Sequence, residues 1–278
     1  MATVYDLTRE QLGERLASWG EPAFRAKQVW SQLWKRGATY DQMSDVSPGL
    51  RERLAEELPL GVEVLTERTA DRGSTRKALL RLGGQHVVEA VLMGYPDRVT
   101  VCISSQAGCA MGCTFCATGQ AGFERHLDTG EIVEQVVRAQ HATDARVSHV
   151  VFMGMGEPLA NVDAVCDALD RLHDDLGLSA RHLTVSTVGV VPGMRRLAQF
   201  HLPVTLAVSL HAPTDRLRAT LVPLNDRYSI GLVLDAAREY AAIKGRRVTF
   251  EYACIAGVND EPDQADELAD RLIGLRGG

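Results

Sequence analysis

Three cysteines carry the densest chemistry in the sequence. Cys109, Cys113 and Cys116 stand at C-x3-C-x2-C spacing in Cys109-Ala-Met-Gly-Cys113-Thr-Phe-Cys116, just after the apolar run Val99-Thr-Val-Cys-Ile. A short loop of this kind can turn three thiolates toward one point. Three thiolates are one short of a closed four-cysteine site, so a [4Fe-4S] cluster on them would keep one iron open to another ligand. The spacing differs from the paired C-x2-C of a structural zinc ribbon, and no second pair follows. His126 could in principle complete a zinc site instead. A local disulfide arrangement fails by count, because three clustered cysteines cannot all pair.

Other candidates are weaker when taken singly. Phe152-Met-Gly154-Met-Gly156-Glu157-Pro158 ends an apolar run. Its glycines allow a ligand close to the backbone, and its carboxylate could pair with an ammonium group; the bland alternative is a glycine-rich turn. Ser186, Ser209 and His211 could donate hydrogen bonds at strand ends, although single polar groups there are usually satisfied structurally. Glu89 stands among Val87, Val88, Ala90 and Val91. A lone carboxylate in such a run ordinarily marks a strand's wet face. Cys102, alternating with Thr100 and Ser104, reads by itself as a small buried hydrophobe, and Cys166 and Cys254 read as core residues.

The elements that must position these groups follow from periodicity. Residues 6 to about 58 read as short helices, with Thr8 and Gln11 forming a capping box and Pro22 opening a second helix. In that helix Ala26, Val29, Trp30, Leu33 and Trp34 form an apolar stripe, leaving Arg25, Lys27, Lys35 and Arg36 largely outside it. A third helix follows Ser47-Pro48. From Gly61 to Met93 the period changes to two, with Gly83-Gly84 as a hairpin turn. Strands are then expected near 99–104, 148–153, 182–187, 203–210 and 247–254. Helices are expected near 129–142, 161–176, 190–200, 214–221, 230–244 and 261–274. Such repeats imply parallel pairing with right-handed crossovers. Small polar residues alternate with apolar ones, as in Thr205, Ala207, Ser209 and His211 against Val204, Leu206, Val208 and Leu210. The fold expected is α/β: a partial (β/α) barrel whose chemistry sits at the strand C-terminal ends. Three regions are expected: a helical accessory domain over 1–60, a β-hairpin extension over 61–94 and the core over 95–278.

The 278 residues include 45% hydrophobic and 24% charged, ordinary for a globular chain. No apolar run approaches a membrane span, and the N-terminus lacks the order of a signal peptide. The cysteine usage suits a reducing cytoplasm. A formal net charge of -6 gives no support to nucleic-acid binding. Arginine far outnumbers lysine, which occurs only at Lys27, Lys35, Lys77 and Lys244. That bias could favour phosphate recognition or simply reflect genome composition.

The cysteine spacing, with an aromatic before the last Cys, resembles the signature of the radical S-adenosylmethionine superfamily. The longer string Cys102-Ile-Ser-Ser-Gln-Ala-Gly-Cys109-Ala-Met-Gly-Cys113-Thr-Phe-Cys116-Ala-Thr-Gly resembles its ribosomal RNA adenine-C2 methyltransferases, and the likeness runs from about Leu7 onward. The resemblance implies a [4Fe-4S] cluster on Cys109, Cys113 and Cys116. It also implies S-adenosylmethionine contacts at Gly156, Glu157, Ser186, Ser209, Leu210 and His211. Glu89 becomes the proton acceptor and Cys102 the thiol that resolves a covalent RNA adduct. Residues 1–60 become an RNA-holding domain. The implied reaction methylates carbon 2 of an adenine in 23S ribosomal RNA, and by extension transfer RNA, through a methylated cysteine and a 5'-deoxyadenosyl radical. A disulfide bond also stands among the implied features. The expected protein is a cytoplasmic monomer with RNA as partner and no membrane.

Beyond Gly257-Val258-Asn259-Asp260 the family continues into a sixth strand with an Asn-Pro cofactor contact and a second catalytic cysteine. The sequence ends before both, so the complete reaction is expected to lie beyond it, with strand five left as an open edge. Two rivals stay open: an adenine-C8 methyltransferase of the same superfamily, and a metal-stabilised RNA-binding module without catalysis.

Overall fold

The computed structural model describes residues 3–275. In chain order its helices and strands are α1 (Arg9–Ser18), α2 (Phe24–Arg36), α3 (Pro48–Glu57), β1 (Val62–Ala70), β2 (Thr75–Leu82), β3 (Val87–Gly94) and β4 (Val99–Cys102). Then come β5 (Gln106–Gly108), α4 (Ala117–Ala121), β6 (Phe123–His126), α5 (Thr129–His141), β7 (His149–Phe152) and α6 (Val162–Asp174). The remainder is β8 (Leu183–Thr187), α7 (Val191–Gln199), β9 (Thr205–Ser209), α8 (Asp215–Leu221), α9 (Ile230–Lys244), β10 (Thr249–Glu251) and α10 (Pro262–Leu272). Two compact units divide the chain. The first takes the residues up to Ile103 with Leu127–Val150 and Asp167–Leu178; the second takes Ser104–His126, Val151–Cys166 and Ser179 onward.

In the first unit the expected helix signals act as written. The Thr8 hydroxyl accepts from the Gln11 N–H (3.2 Å), while Gln11 Oε1 accepts from the Thr8 N–H (2.8 Å). Helix α2 begins two residues after Pro22, which leaves that proline in the turn before it. Its stripe of Val29, Trp30, Leu33 and Trp34 is buried, while Lys27, Lys35 and Arg36 stay exposed. Strands β1 to β4 run antiparallel in sequence order, with β2 and β3 joined across Gly83-Gly84 as expected. The register places Leu79 opposite Glu89 and Val91 opposite Cys102. Lys77 therefore sits diagonally from Glu89, near enough to pair across the strands. Helix α5 buries the Glu134–Arg138 ion pair (2.7 Å), and Glu134 also accepts the Gly61 N–H (2.7 Å), so the buried carboxylate is both paired and hydrogen-bonded.

In the second unit β8, β9 and β10 pair in parallel, each followed by helix, as the alternating pattern requires. Along β8, Leu183, Val185 and Thr187 form the buried face, while the small polar residues Thr184 and Ser186 line the half-buried one. His182, the first residue of the strand expected over 182–187, lies in a tight turn before it. The antiparallel ribbon β5–β6 and the short helix α4 were not expected; elements of three to five residues are too short to carry a usable period. Strand β10 is only three residues long. Cys254 consequently lies past its end and is exposed, correcting the core placement, whereas Cys166 is buried as expected. Phe250 packs with Leu268 and Leu272 of α10 against Leu210, Ile230 and Leu234.

Candidate functional site

A cavity of about 290 Å³ opens in the second unit at the C-terminal ends of its strands. Its wall includes Cys109, Cys113 and Cys116, then Gly154, Gly156 and Glu157 after β7, Ser186 on β8, and Ser209 and His211 on and after β9. The fold thus gathers the cysteine triplet and most of the expected ligand-binding positions around one space. Leu210 is not in the wall. Its side chain enters the core, its N–H donates to the Glu251 carbonyl (3.0 Å), and its carbonyl accepts from Arg218 Nε (3.0 Å). Glu89 and Cys102 belong to the first unit; Glu89 is half-exposed and ion-paired with Lys77 (2.7 Å).

Backbone contacts shape the cysteine loop. The Cys109 N–H donates to the Gly122 carbonyl (2.8 Å), the Cys116 N–H to the Cys113 carbonyl (3.1 Å), and the Thr114 N–H to the Leu221 carbonyl of α8 (3.0 Å). Gly108 must be glycine here: its φ is +72°, and a Cβ would come within 2.0 Å of the Gly122 carbonyl oxygen. Burial pushes the Cys109 thiol up and the Cys113 thiol up to about 11. Among the described residues no three His, Cys, Asp or Glu side chains are arranged as a ligand set for a single metal ion. The donor set that fits an iron–sulfur group is the three thiols on one cavity wall, none used in a disulfide. The expected disulfide is corrected on the same ground, since none of the six cysteines is bonded to another. His126 does not join the cavity; its Nδ1 meets Gln106 Nε2 (3.0 Å) and its ring packs edge-on against Phe123.

Glu157 is 2% exposed and serves the chain as well as the cavity. One carboxylate oxygen accepts the Leu159 N–H (3.0 Å), the other the Val188 N–H (2.9 Å), and Thr187 adds a side-chain bond. Burial outweighs these donors and pushes its carboxyl up to about 7. Its own N–H donates to Gln106 Oε1 (2.8 Å), and Gly156 lets Gln106 come that near. At φ +100°, a Cβ on Gly156 would lie 2.5 Å from Gln106 Cβ.

The opposite wall is equally set. Ser186 Oγ and Ser209 Oγ stand 3.4 Å apart across β8 and β9. His211 is 7% exposed and adopts φ +62°, a strained conformation for a residue other than glycine. Its Nδ1 accepts the Ala253 N–H (3.1 Å), which places the ring proton on Nε2. Burial, helped by the nearby Arg218 charge, pushes its pKa down to about 4, so the ring is neutral at ordinary pH. Phe115 packs edge-on against it at 4.8 Å. The Gly257-Val-Asn259-Asp segment finds its role here, because buried Asn259 donates to the His211 carbonyl (2.7 Å) and the Ala253 carbonyl (2.8 Å).

Sequence reasoning missed Gln106, Arg218 and Glu251. Gln106 sits inside the motif string yet has no spacing of its own, and Glu251 reaches the cavity wall from β10.

Comparisons with known proteins agree with this geometry. Residues 103–269 match the model of the radical SAM superfamily, and residues 3–59 match the ribosomal RNA large subunit methyltransferase N-terminal domain. A probable dual-specificity RNA methyltransferase RlmN of Chloroflexus aurantiacus is 52% identical over 97% of this chain and 74% of its own length. The Salinispora tropica protein of the same name is 54% identical over 91% of this chain and 73% of its own. A radical SAM methyltransferase structure from Sphaerobacter thermophilus superposes with a TM-score of 0.94 at 47% identity, covering 100% of this chain and 83% of that one.

Proposed function

The chain belongs to the radical SAM superfamily, among the RlmN-type RNA methyltransferases, and on that premise we propose that it methylates carbon 2 of an adenine in ribosomal and transfer RNA. The observation that carries the reading is the single cavity on which three cysteine thiols face Glu157, the Ser186–Ser209 pair and neutral His211. Aromatic carbon 2 is not a nucleophile, so ordinary methyl displacement fails there. A [4Fe-4S] group held by Cys109, Cys113 and Cys116 would supply the electron for radical chemistry with S-adenosylmethionine.

The chain's own residues bind and orient that cofactor. With the Leu159 and Val188 N–H groups and the Thr187 hydroxyl already donating, the Glu157 carboxylate keeps one acceptor position that can receive the cofactor's ammonium group. The Gly156 peptide lets the ligand approach closely. Ser186 and Ser209 offer hydroxyls, and His211 offers an Nε2–H donor that does not change charge near neutral pH. Leu210, with both backbone groups held, keeps the strand end between Ser209 and His211 in place. In the first unit, Cys102 serves as the resolving thiol and Glu89 as the proton acceptor. Helices α1 to α3, with exposed Lys27, Lys35 and Arg36, hold RNA through its phosphates. The protein works in the cytoplasm as a monomer. Among the described residues no helix is long and apolar enough to cross a membrane.

Anaerobic reconstitution, with iron and sulfide, of a version extended past Gly278 through the family's second catalytic cysteine, followed by methyl-labelled S-adenosylmethionine and protein-free ribosomal RNA, tests the proposal. Iron and sulfide uptake with label in 2-methyladenosine supports it. Stoichiometric zinc without iron, or label in 8-methyladenosine, overturns it.

A further inference from the structure

Arg218, on α8, has a side chain with no solvent exposure, yet no carboxylate pairs with it among the described residues. A buried guanidinium is costly unless its donors are satisfied and its charge is answered. Its donors are satisfied by neutral groups. Nε donates to the Leu210 carbonyl (3.0 Å), Nη1 to Asn225 Oδ1 (3.2 Å), and Nη2 to the carbonyls of Ser209 (3.3 Å) and Val188. These carbonyls end β9 and follow β8, the strands that carry Ser209 and Ser186. Among the described residues no carboxylate forms an ion pair with the charge itself. Asp215 lies on the same helix, but one of its oxygens is already held by the Ile230 N–H (2.7 Å).

The cysteine loop rests on the same helix. Thr114, beside Cys113, donates its N–H to the Leu221 carbonyl and its hydroxyl to the Thr220 carbonyl (3.2 Å). Cys113 packs with Ala212, Leu221 and Val222, and with Val188 and Leu217 at the edge of the same cluster. Leu221 lies three residues after Arg218, on the same helical face. The guanidinium and Cys113 are therefore held by common neighbours, for Val188 accepts from Arg218 Nη2 and packs at the edge of the Cys113 cluster.

We infer that Arg218 is a positioning residue for the three-thiolate group: it fixes the ends of β8 and β9 beneath the cysteine loop, and its buried charge makes the iron–sulfur group easier to reduce. The inference rests on the iron–sulfur reading given above. In the step concerned, one electron passes from a low-potential reductant such as dithionite; no bond forms or breaks, and the group gains one negative charge. A fixed positive charge in a low-dielectric surrounding stabilises the more negative state.

The test uses the anaerobically reconstituted 278-residue chain, with iron content measured first and the reduced fraction then followed by electron paramagnetic resonance during dithionite titration. Arg218→Gln removes the charge, and Arg218→Lys keeps it with fewer hydrogen bonds. Asn225→Asp gives Arg218 the carboxylate partner it lacks without removing its donors. At a fixed solution potential, Arg218→Gln and Asn225→Asp are expected to lower the ratio of reduced to oxidised group at least tenfold, about 59 mV for one electron. Arg218→Lys is expected to remain near the unsubstituted protein in this ratio. An equal drop in Arg218→Lys and Arg218→Gln would assign the effect to hydrogen bonding and overturn the charge argument. If Arg218→Gln takes up no iron, Asn225→Asp decides: an unchanged ratio in that variant with full iron overturns the inference. Absence of iron in the unsubstituted protein would instead sink the iron–sulfur reading, and this one with it.

Discussion

Glu157 offers the sharpest test, because its carboxyl is asked to do two things at once. Its ordinary value is 4.5, and burial raises it to about 7 in the folded chain. Between those values the folded state keeps a proton that the unfolded state has released, so stability falls as pH rises through this window. Integrating the two titrations from about pH 5 to about pH 8 gives a loss near 2.5 kcal/mol from this one group. Glu157→Gln removes the titration. It also turns an amide NH2 toward either the Leu159 or the Val188 N–H, leaving a buried donor unsatisfied at a cost of about 1–3 kcal/mol.

The variant should therefore be clearly less stable than the unsubstituted protein at about pH 5, and near it or more stable at about pH 8. Urea unfolding of the metal-free, reduced protein, followed by far-ultraviolet circular dichroism at several pH values, measures this. Every other titrating group is common to both proteins, so the difference between them isolates Glu157. A difference that stays constant within about 0.5 kcal/mol across that range would refute the reasoning, because the carboxyl would then titrate alike in both states.

The remaining expectations concern the ligand and the loop. An ammonium group needs the ionised form of Glu157, so S-adenosylmethionine affinity should fall roughly tenfold per pH unit below about 7. In titration calorimetry at higher pH, Glu157→Gln should weaken binding by roughly ten- to a hundredfold, the equivalent of one charge-assisted bond; unchanged affinity would remove Glu157 from the contact. Single Cys→Ala changes at Cys109, Cys113 and Cys116 should abolish iron uptake, while those at Cys166 and Cys254 should leave it intact; full iron in Cys113→Ala would end the cluster assignment. Gly156→Ala forces a Cβ against Gln106 at positive φ and should cost about 1–3 kcal/mol. A thermal melt that does not move would show that the turn relaxes freely.

Much of the scaffold could be read from periodicity. The alternation of buried Leu206 and Val208 with half-buried Thr205 and Ser209, and the buried stripe from Val29 to Trp34, follow the apolar period of each element. Element ends were less legible. Strand β10 stops at Glu251 although the apolar pattern runs on, and the chain beyond turns into the loop held by Asn259, leaving Cys254 exposed. Within the cavity, cysteine spacing and the glycine-rich turn were visible because thiolate ligation and close approach each demand one residue type. Resemblance added Ser186, Ser209 and His211, which spacing alone could not have separated from ordinary polar groups.

The supporting roles of three side chains share a physical reason for being illegible. Gln106, Arg218 and Asn259 all act through backbone groups: Gln106 receives the Glu157 N–H, Arg218 holds three strand-end carbonyls, and Asn259 holds the carbonyls of His211 and Ala253. Every residue possesses those backbone groups, so a side chain that binds them leaves no complementary pattern elsewhere in the sequence. Yet these three side chains decide where Glu157, the serine pair and the histidine point. A conventional alanine scan would class supporter and ligand contact together, since losing either weakens binding. Separating them needs a readout tied to charge or proton count rather than to affinity. The pH dependence at Glu157 and the reduction equilibrium at Arg218 are such readouts, because a loss of packing alone moves neither in the predicted direction.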